Sequence, residues 1–269
     1  MYPHPRPHRF DELAWLARCF DTIEINSTFY RPAARNAALR WAERVAANDS
    51  FRFTLKLWQR FTHERDEMWS AAEVAESRAA INGLLEHNRL GAVLAQFPWS
   101  FRREKVNRVW LDALTKEFAD LPLVVEIRHD SWNTPEFFDA LAERGIGFVN
   151  IDQPKHRHGI APTARATSPT GYVRVHGRNA ANWFREDAGV NERYDYLYSA
   201  SELLPWAERV RQIALQADDV YVITNNHFEG QAVANAVMLT SMLRNEPAPA
   251  PAPTLERYGD VMGQYAFAL

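Results

Sequence analysis

One cysteine, Cys19, and four lysines among 31 basic residues are all that the chain holds of those two types. A lone cysteine excludes an internal disulfide framework and a cysteine-based zinc site. No apolar run approaches the ~18 residues that a membrane span requires. The opening "MYPHPRPHRF" lacks the apolar segment of a secretory signal, so the expected setting is cytoplasmic. An excess of charge of one sign is missing too. The 31 basic and 34 acidic residues leave a net charge of -3, which argues against nucleic acid as a partner, because a nucleic-acid footprint needs a basic surplus on one face. With arginine so dominant, a lysine at a strand end stands out, and Lys56 is such a lysine.

What is present is enough apolar material, 46% of 269 residues, to bury a large core. Short strand patterns recur at 22–26, 51–56, 91–96, 123–128, 147–152, 172–177 and 220–226, with amphipathic stretches at 36–47, 70–89, 103–118, 135–144 and 201–216. Strands alternating with helices predict a parallel sheet of βαβ units. No G-x-G-x-x-G turn follows any strand, and polar residues mark the carboxyl end of nearly every one. Both features favour a TIM-type (β/α) barrel over an open sheet. Seven strands are visible, one fewer than the usual eight. The proline- and glycine-bearing link 153–171 reads as a loop over the carboxyl rim. "SELLPWAERV" reads as a helix start with Ser201 as N-cap. The expected organisation is a single barrel domain over 1–244, a Pro/Ala linker at 245–254 ("NEPAPAPAPT") and a tail at 255–269.

Period-two alternation assigns faces. Glu24 and Asn26 oppose Ile23 and Ile25; Lys56 opposes Phe53 and Leu55; Glu126 and Arg128 oppose Val125 and Ile127. Asn150 and Asp152 oppose Val149 and Ile151; Arg174 and His176 oppose Val173 and Val175. With the apolar faces on the helices, the lumen receives three acids (Glu24, Glu126, Asp152) and three bases (Lys56, Arg128, Arg174). Asn26, Gln96, His176 and one of Asn225 or Asn226 join them. Barrel lumens are ordinarily filled by branched apolar side chains, and polar groups at the carboxyl ends of strands read as catalytic. The same six charges would also satisfy one another as a structural network.

Glu24 and Glu126 suit a general acid/base pair. Lys56 suits a Schiff base or a cation for an anionic group, and Arg128 and Arg174 suit a phosphate or carboxylate. His176 suits proton transfer, or a divalent metal held with neighbouring acids. Arginine and lysine compete for those acids, so no cofactor is expected and the metal is the lesser option. His63 in "RFTHERD" reads as a surface-loop histidine or, by a small margin the lesser reading, as one that reaches the rim; "HRH" at 156–158 reads as a solvated loop with metal binding as the lesser alternative.

The motifs "FDTIEINSTFY", "FTLK", "LGAVLAQFPWSF", "VVEIRHDSW", "YVRVHGR" and "VYVITNNHFEGQAVANA" together resemble, in order, those of the YecE-like family, the domain of unknown function numbered 72. The resemblance runs from about residue 10 to 240. It implies a TIM-type barrel and no particular activity. It places the family's recurring polar residues on Glu24, Asn26, Lys56, His63, Gln96, Glu126, Arg128, Arg174, His176, Asn225 and Asn226. Members of that family open with a strand and loop of the type "IGTSGW" ahead of a "YP" that matches Tyr2-Pro3. The first strand is therefore expected to be missing from this chain. A start assigned too far downstream is favoured over a gapped barrel, because closure removes exposed strand edges.

The resulting expectation is an enzyme (hydrolase, lyase or isomerase) using acid/base chemistry at the carboxyl mouth of the barrel. Its substrate is small, polar and anionic, phosphorylated or carboxylated. Glu24, Glu126, His176 and Lys56 are the expected catalytic groups. Asn26, His63, Gln96, Arg128, Asp152, Arg174, Asn225 and Asn226 are the expected binding groups. The alternatives are a binding or sensor protein that uses the same lumen without turnover, and a metal-dependent isomerase or phosphodiesterase.

Overall fold

The computed structural model describes residues 1–269 except Phe184, Glu186 and Ala188. Seven strands, β1 (Thr22–Ile25), β2 (Arg52–Lys56), β3 (Leu90–Gln96), β4 (Leu123–Glu126), β5 (Gly147–Asp152), β6 (Thr170–Val175) and β7 (Asp219–Thr224), pair in parallel in sequence order. This is the nearly closed, TIM-type α/β barrel that the alternation predicted. Helices Arg35–Arg44, Ala71–Glu86, Lys105–Glu117, Pro135–Glu143, Ala200–Ala214 and Gln231–Arg244 supply its outer layer. None of the described helices is long and apolar enough to cross a membrane.

Local chemistry sets the helix starts. Ser70 and Glu73 form a reciprocal capping box, and so do Ser199 and Glu202. The second box corrects the expected cap: the S-x-x-E spacing begins at Ser199, so Ser201 lies inside the helix. Between β5 and β6 the chain runs as loop, as Pro154, Pro162 and Pro169 predicted. No ladder joins β7 to β1 among the described residues. A cavity of about 710 Å³ lies along this gap, lined by Ile23 and Glu24, Val222 and Thr224, and Leu239 and Leu243.

The stretch 245–254, expected to be a linker, is instead built into the fold. It holds β8 (Ala248–Ala250), which pairs with β9 (Ala266–Ala268) across the helix Ala252–Met262. Ala248, Ala250 and Met262 are buried with Trp206, Met238 and Met242. The alanines are small enough to lie flat on the helices beneath, and a two-stranded sheet consists only of edges, where Pro249 is tolerated.

Register fixes which residues face the lumen, because partners in a parallel ladder share a face. Glu24 pairs Thr54, Lys56 pairs Leu94, Gln96 pairs Glu126 and Arg174 pairs Ile151. Ala92, Leu94, Val124, Val149 and Ile151 make the lumen apolar below, and the charged residues crowd its carboxyl end. On β5 the expected faces are reversed. Phe148 packs edge-on against Phe138 of the outer helix at 5.0 Å, so Asn150 and Asp152 point outward with it. Asn150 accepts from Thr163 Oγ1 (2.7 Å) and Arg165 N (2.8 Å), pinning the helix-free loop where a helix would otherwise lie.

Candidate functional site

Arg174 is the centre of the lumen. Its Nη2 donates to Glu24 Oε1 and its Nη1 to Glu126 Oε2, both at 2.6 Å, and all three side chains are almost wholly buried. Two flanking groups complete the arrangement. The Tyr172 hydroxyl lies 2.8 Å from Glu24 Oε2 and 2.8 Å from Thr54 Oγ1. Arg128 Nε donates to Glu126 Oε1 at 2.8 Å. Burial opposes ionisation of Glu126, yet Arg174 and Arg128 override it and hold the carboxyl well below the usual range. Burial likewise opposes the Arg174 charge, and Glu24 with Glu126 more than restores it. A group held so firmly ionised is an electrostatic element, neither a proton donor nor an effective base.

His176 is fully buried. Asn225 Nδ2 lies 3.1 Å from its Nδ1, which assigns the proton to Nε2, itself 3.3 Å from Glu126 Oε1. Burial drives the imidazole down to about 3, against the pull of Glu126. His176 is thus a neutral side chain bonded to Asn225, with Nε2 close to Glu126 but making no hydrogen bond to any described residue. Gly177 follows it with φ +94, a left-handed turn that needs glycine, and its N–H donates to the Tyr198 hydroxyl at 2.9 Å.

Lys56 ends β2 at the same mouth. Its Nζ sits 3.8 Å over the Phe29 ring, and among the described residues no carboxylate lies within ion-pairing distance of it. Burial, reinforced by Arg174, lowers its amine to about 7. The Thr28 hydroxyl donates to the Lys56 carbonyl at 2.7 Å, which fixes the turn carrying Phe29 against the strand end. His63 stands edge-on to Phe29 at 4.8 Å. Its Nδ1 is 2.8 Å from the Thr62 hydroxyl, and burial with Lys56 nearby lowers it to about 4. Arg128 retains some exposure, and its two terminal nitrogens bond to no described residue.

The other expected residues are placed differently. Gln96 donates to its neighbour's carbonyl, Phe97 O, at 2.6 Å. Asn26 is exposed at the start of a short helix and lines the β1–β7 cavity with Asn225. Asn226 donates to Tyr196 O and Asn235 Oδ1, supporting the loop after β7. Asp152 faces away from the central cluster and accepts from Tyr198 (2.6 Å) and Arg178 (2.8 Å).

A family model described as a protein of unknown function, DUF72, matches residues 1–257. The chain belongs to this family. UPF0759 protein YunF of Bacillus subtilis is 30% identical over 258 residues, 90% of each chain. YecE of Escherichia coli is 27% identical over 65% of this chain and 60% of its own. Among solved structures, a DUF72 protein of Thermotoga maritima superposes with a TM-score of 0.75 at 33% identity, over 84% of this chain and 85% of its own. One from Enterococcus faecalis gives 0.79 at 26% identity, over 88% and 90%.

Two participants in this DUF72 site, Tyr172 and Phe29, escaped the sequence reading, as did the Arg178–Tyr198 pair outside it. Tyr172 shares a face with Arg174 and His176, so the same alternation points to it. Phe29 comes from the short helix Ser27–Tyr30 and the Arg178–Tyr198 pair from loops, and no local pattern announces them. At the rim, His129, Asp130 and His158 bring possible metal-ligand atoms within 4.8 Å of one another. Asp130 lies 3.3 Å from His129 Nδ1 and 3.4 Å from His158 Nδ1. The Ser131 N–H donates to His129 Nδ1 at 3.1 Å and competes for that lone pair.

Proposed function

We propose that this DUF72 chain is an enzyme that performs acid/base chemistry on a small, anionic, carboxylated or phosphorylated molecule at the carboxyl mouth of its barrel. One observation carries the reading: charge at the mouth does not balance. Glu24 and Glu126 are taken up by Arg174 and Arg128, Asp152 is taken up outside by Arg178, and Lys56 remains. A single anionic group between Lys56 and the free end of Arg128 would complete the set. Ionised Glu126 would then hold Arg128 toward the anion, and Lys56 or His63 would exchange protons with the substrate. Arg174 and His176 would hold the carboxylates in place rather than touch the substrate.

The test is thermal denaturation with phosphorylated and carboxylated small molecules, on the parent and on Arg128→Ala. A ligand at a hundred times its dissociation constant adds about 2.7 kcal/mol, so the parent should melt higher and the variant should lose that gain. Anions that leave the parent's melting unchanged refute the site. Binding without turnover across the stabilising compounds would favour the sensor alternative. A metal-assisted reading is favoured only by the rim cluster of His129, Asp130 and His158. Stabilisation by Zn²⁺ or Mn²⁺ that vanishes in Asp130→Asn would support it.

A further inference from the structure

We infer that Lys56 is a covalent nucleophile that forms an imine with the carbonyl carbon of an anionic aldehyde or ketone. This rests on the anion site proposed above and names its substrate class. The geometry sets Lys56 apart from a lysine that merely supplies charge. A charge-supplying lysine gains from a carboxylate neighbour; here the carboxylates are bound to arginines and Lys56 faces the Phe29 ring. The strand end is fixed by Thr28, which donates to both Ile25 O (3.0 Å) and Lys56 O (2.7 Å). The base of the side chain is therefore anchored, and the amine lies beside an apolar wall at the same mouth as Arg128. The depressed amine, at about 7, agrees with this placement, since only the unprotonated form attacks carbon.

In the step itself, the Lys56 nitrogen lone pair forms a C–N bond as the carbonyl π pair moves onto oxygen. Both amine protons pass to that oxygen, which leaves as water, and the C=N bond closes. His63, neutral and adjacent across Phe29, is placed to carry those protons. Arg128 would hold the carboxylate or phosphate of the same molecule.

The full-length protein is incubated with pyruvate or dihydroxyacetone phosphate and reduced with cyanoborohydride, and the adduct is mapped by peptide mass spectrometry. Lys105, Lys116 and Lys155 are exposed and serve as internal controls. At neutral pH Lys56 should carry about tenfold or more adduct than any of them, because an ordinary lysine titrating near 10.4 is almost wholly protonated. Trapping should rise as pH passes about 7, and Lys56→Arg should abolish it. If these compounds raise the melting temperature yet the adduct spreads evenly over the control lysines, the imine is refuted and the anion site stands. If they neither stabilise nor label, both fall.

Discussion

Replacing Glu126 by glutamine tests whether the lumen network holds the barrel together. The substitution keeps shape and one acceptor oxygen while removing the charge. In the parent, that fully buried carboxylate accepts from Arg174 at 2.6 Å and Arg128 at 2.8 Å, with His176 Nε2 at 3.3 Å. In the variant, Arg174 keeps only the carboxylate of Glu24, Arg128 loses its carboxylate partner, and the new amide N–H₂ faces donors. Removing one partner of a buried ion pair costs about 3–5 kcal/mol. For chains of this size each kcal/mol shifts the midpoint by roughly 2–4 °C, so melting should fall by ~6–20 °C. Urea titration gives the free energy directly. Adding Arg128→Met to Glu126→Gln should recover part of the loss, because Arg128 pairs with no other carboxylate among the described residues and the stranded cation is removed with its partner. A single variant within about 0.5 kcal/mol of the parent, the range of ordinary surface changes, would falsify the account of the network as a mutual dependence.

Two further expectations follow from the same geometry. Folded His176 titrates at about 3 and the unfolded residue near 6.5, so the unfolded chain alone takes up a proton between those values. The stability this contributes is complete above about pH 6.5 and is lost as pH falls toward 3, at up to ~1.4 kcal/mol per pH unit. His63 adds to the loss down to about 4. Urea melts at pH 7.5, 6 and 5 measure the slope, which His176→Gln should flatten; a parent curve that is level over that range contradicts the burial argument. Asp152→Asn should cost ~1–3 kcal/mol through its lost charge on Arg178 and Tyr198 and leave anion affinity unchanged. Lost affinity at unchanged stability would return Asp152 to the lumen.

How legible the site was depended on what each strand packs against. On β1, β2, β4 and β6 the outward positions are apolar and rest on helices, so period two correctly set Glu24, Lys56, Glu126 and Arg174 inward. On β5 the rule was applied in the same way and inverted the strand. All six of its residues are buried, so hydrophobicity carries no sign of direction. Asn150 can face outward because the missing β5–β6 helix leaves loop backbone for its amide to bind. Tyr172 shares the period of Arg174 and His176 and is readable from it, although a tyrosine in a strand also fits a core. Phe29 depends on a hydroxyl-to-carbonyl contact across 28 residues, which no local pattern encodes. At the carboxyl end, alternating proline and alanine suggested a spacer, whereas the small alanines are what allow β8 to lie against the helices.

The structural and the functional readings of the charged lumen were set against each other in the sequence, and the geometry removes the opposition. Paired acids and arginines are costly to bury and rarely outperform apolar packing as a source of stability. Their value here lies in what they leave unpaired. Because Arg174 spans Glu24 and Glu126, neither carboxylate is within ion-pairing reach of Lys56. Because Asp152 turns outward to Arg178, no third acid takes its place. The amine is thus flanked by cations in a partly dry setting, which disfavours its protonated form. The stable network and the reactive amine are two consequences of one arrangement. Weakening the network should therefore move the onset of Lys56 trapping toward higher pH when Arg174 is replaced by methionine in a chain that still folds, because one of the cations depressing it is gone. An unchanged onset in that folded variant would separate the amine from Arg174 and leave burial and Arg128 as the causes of its depression.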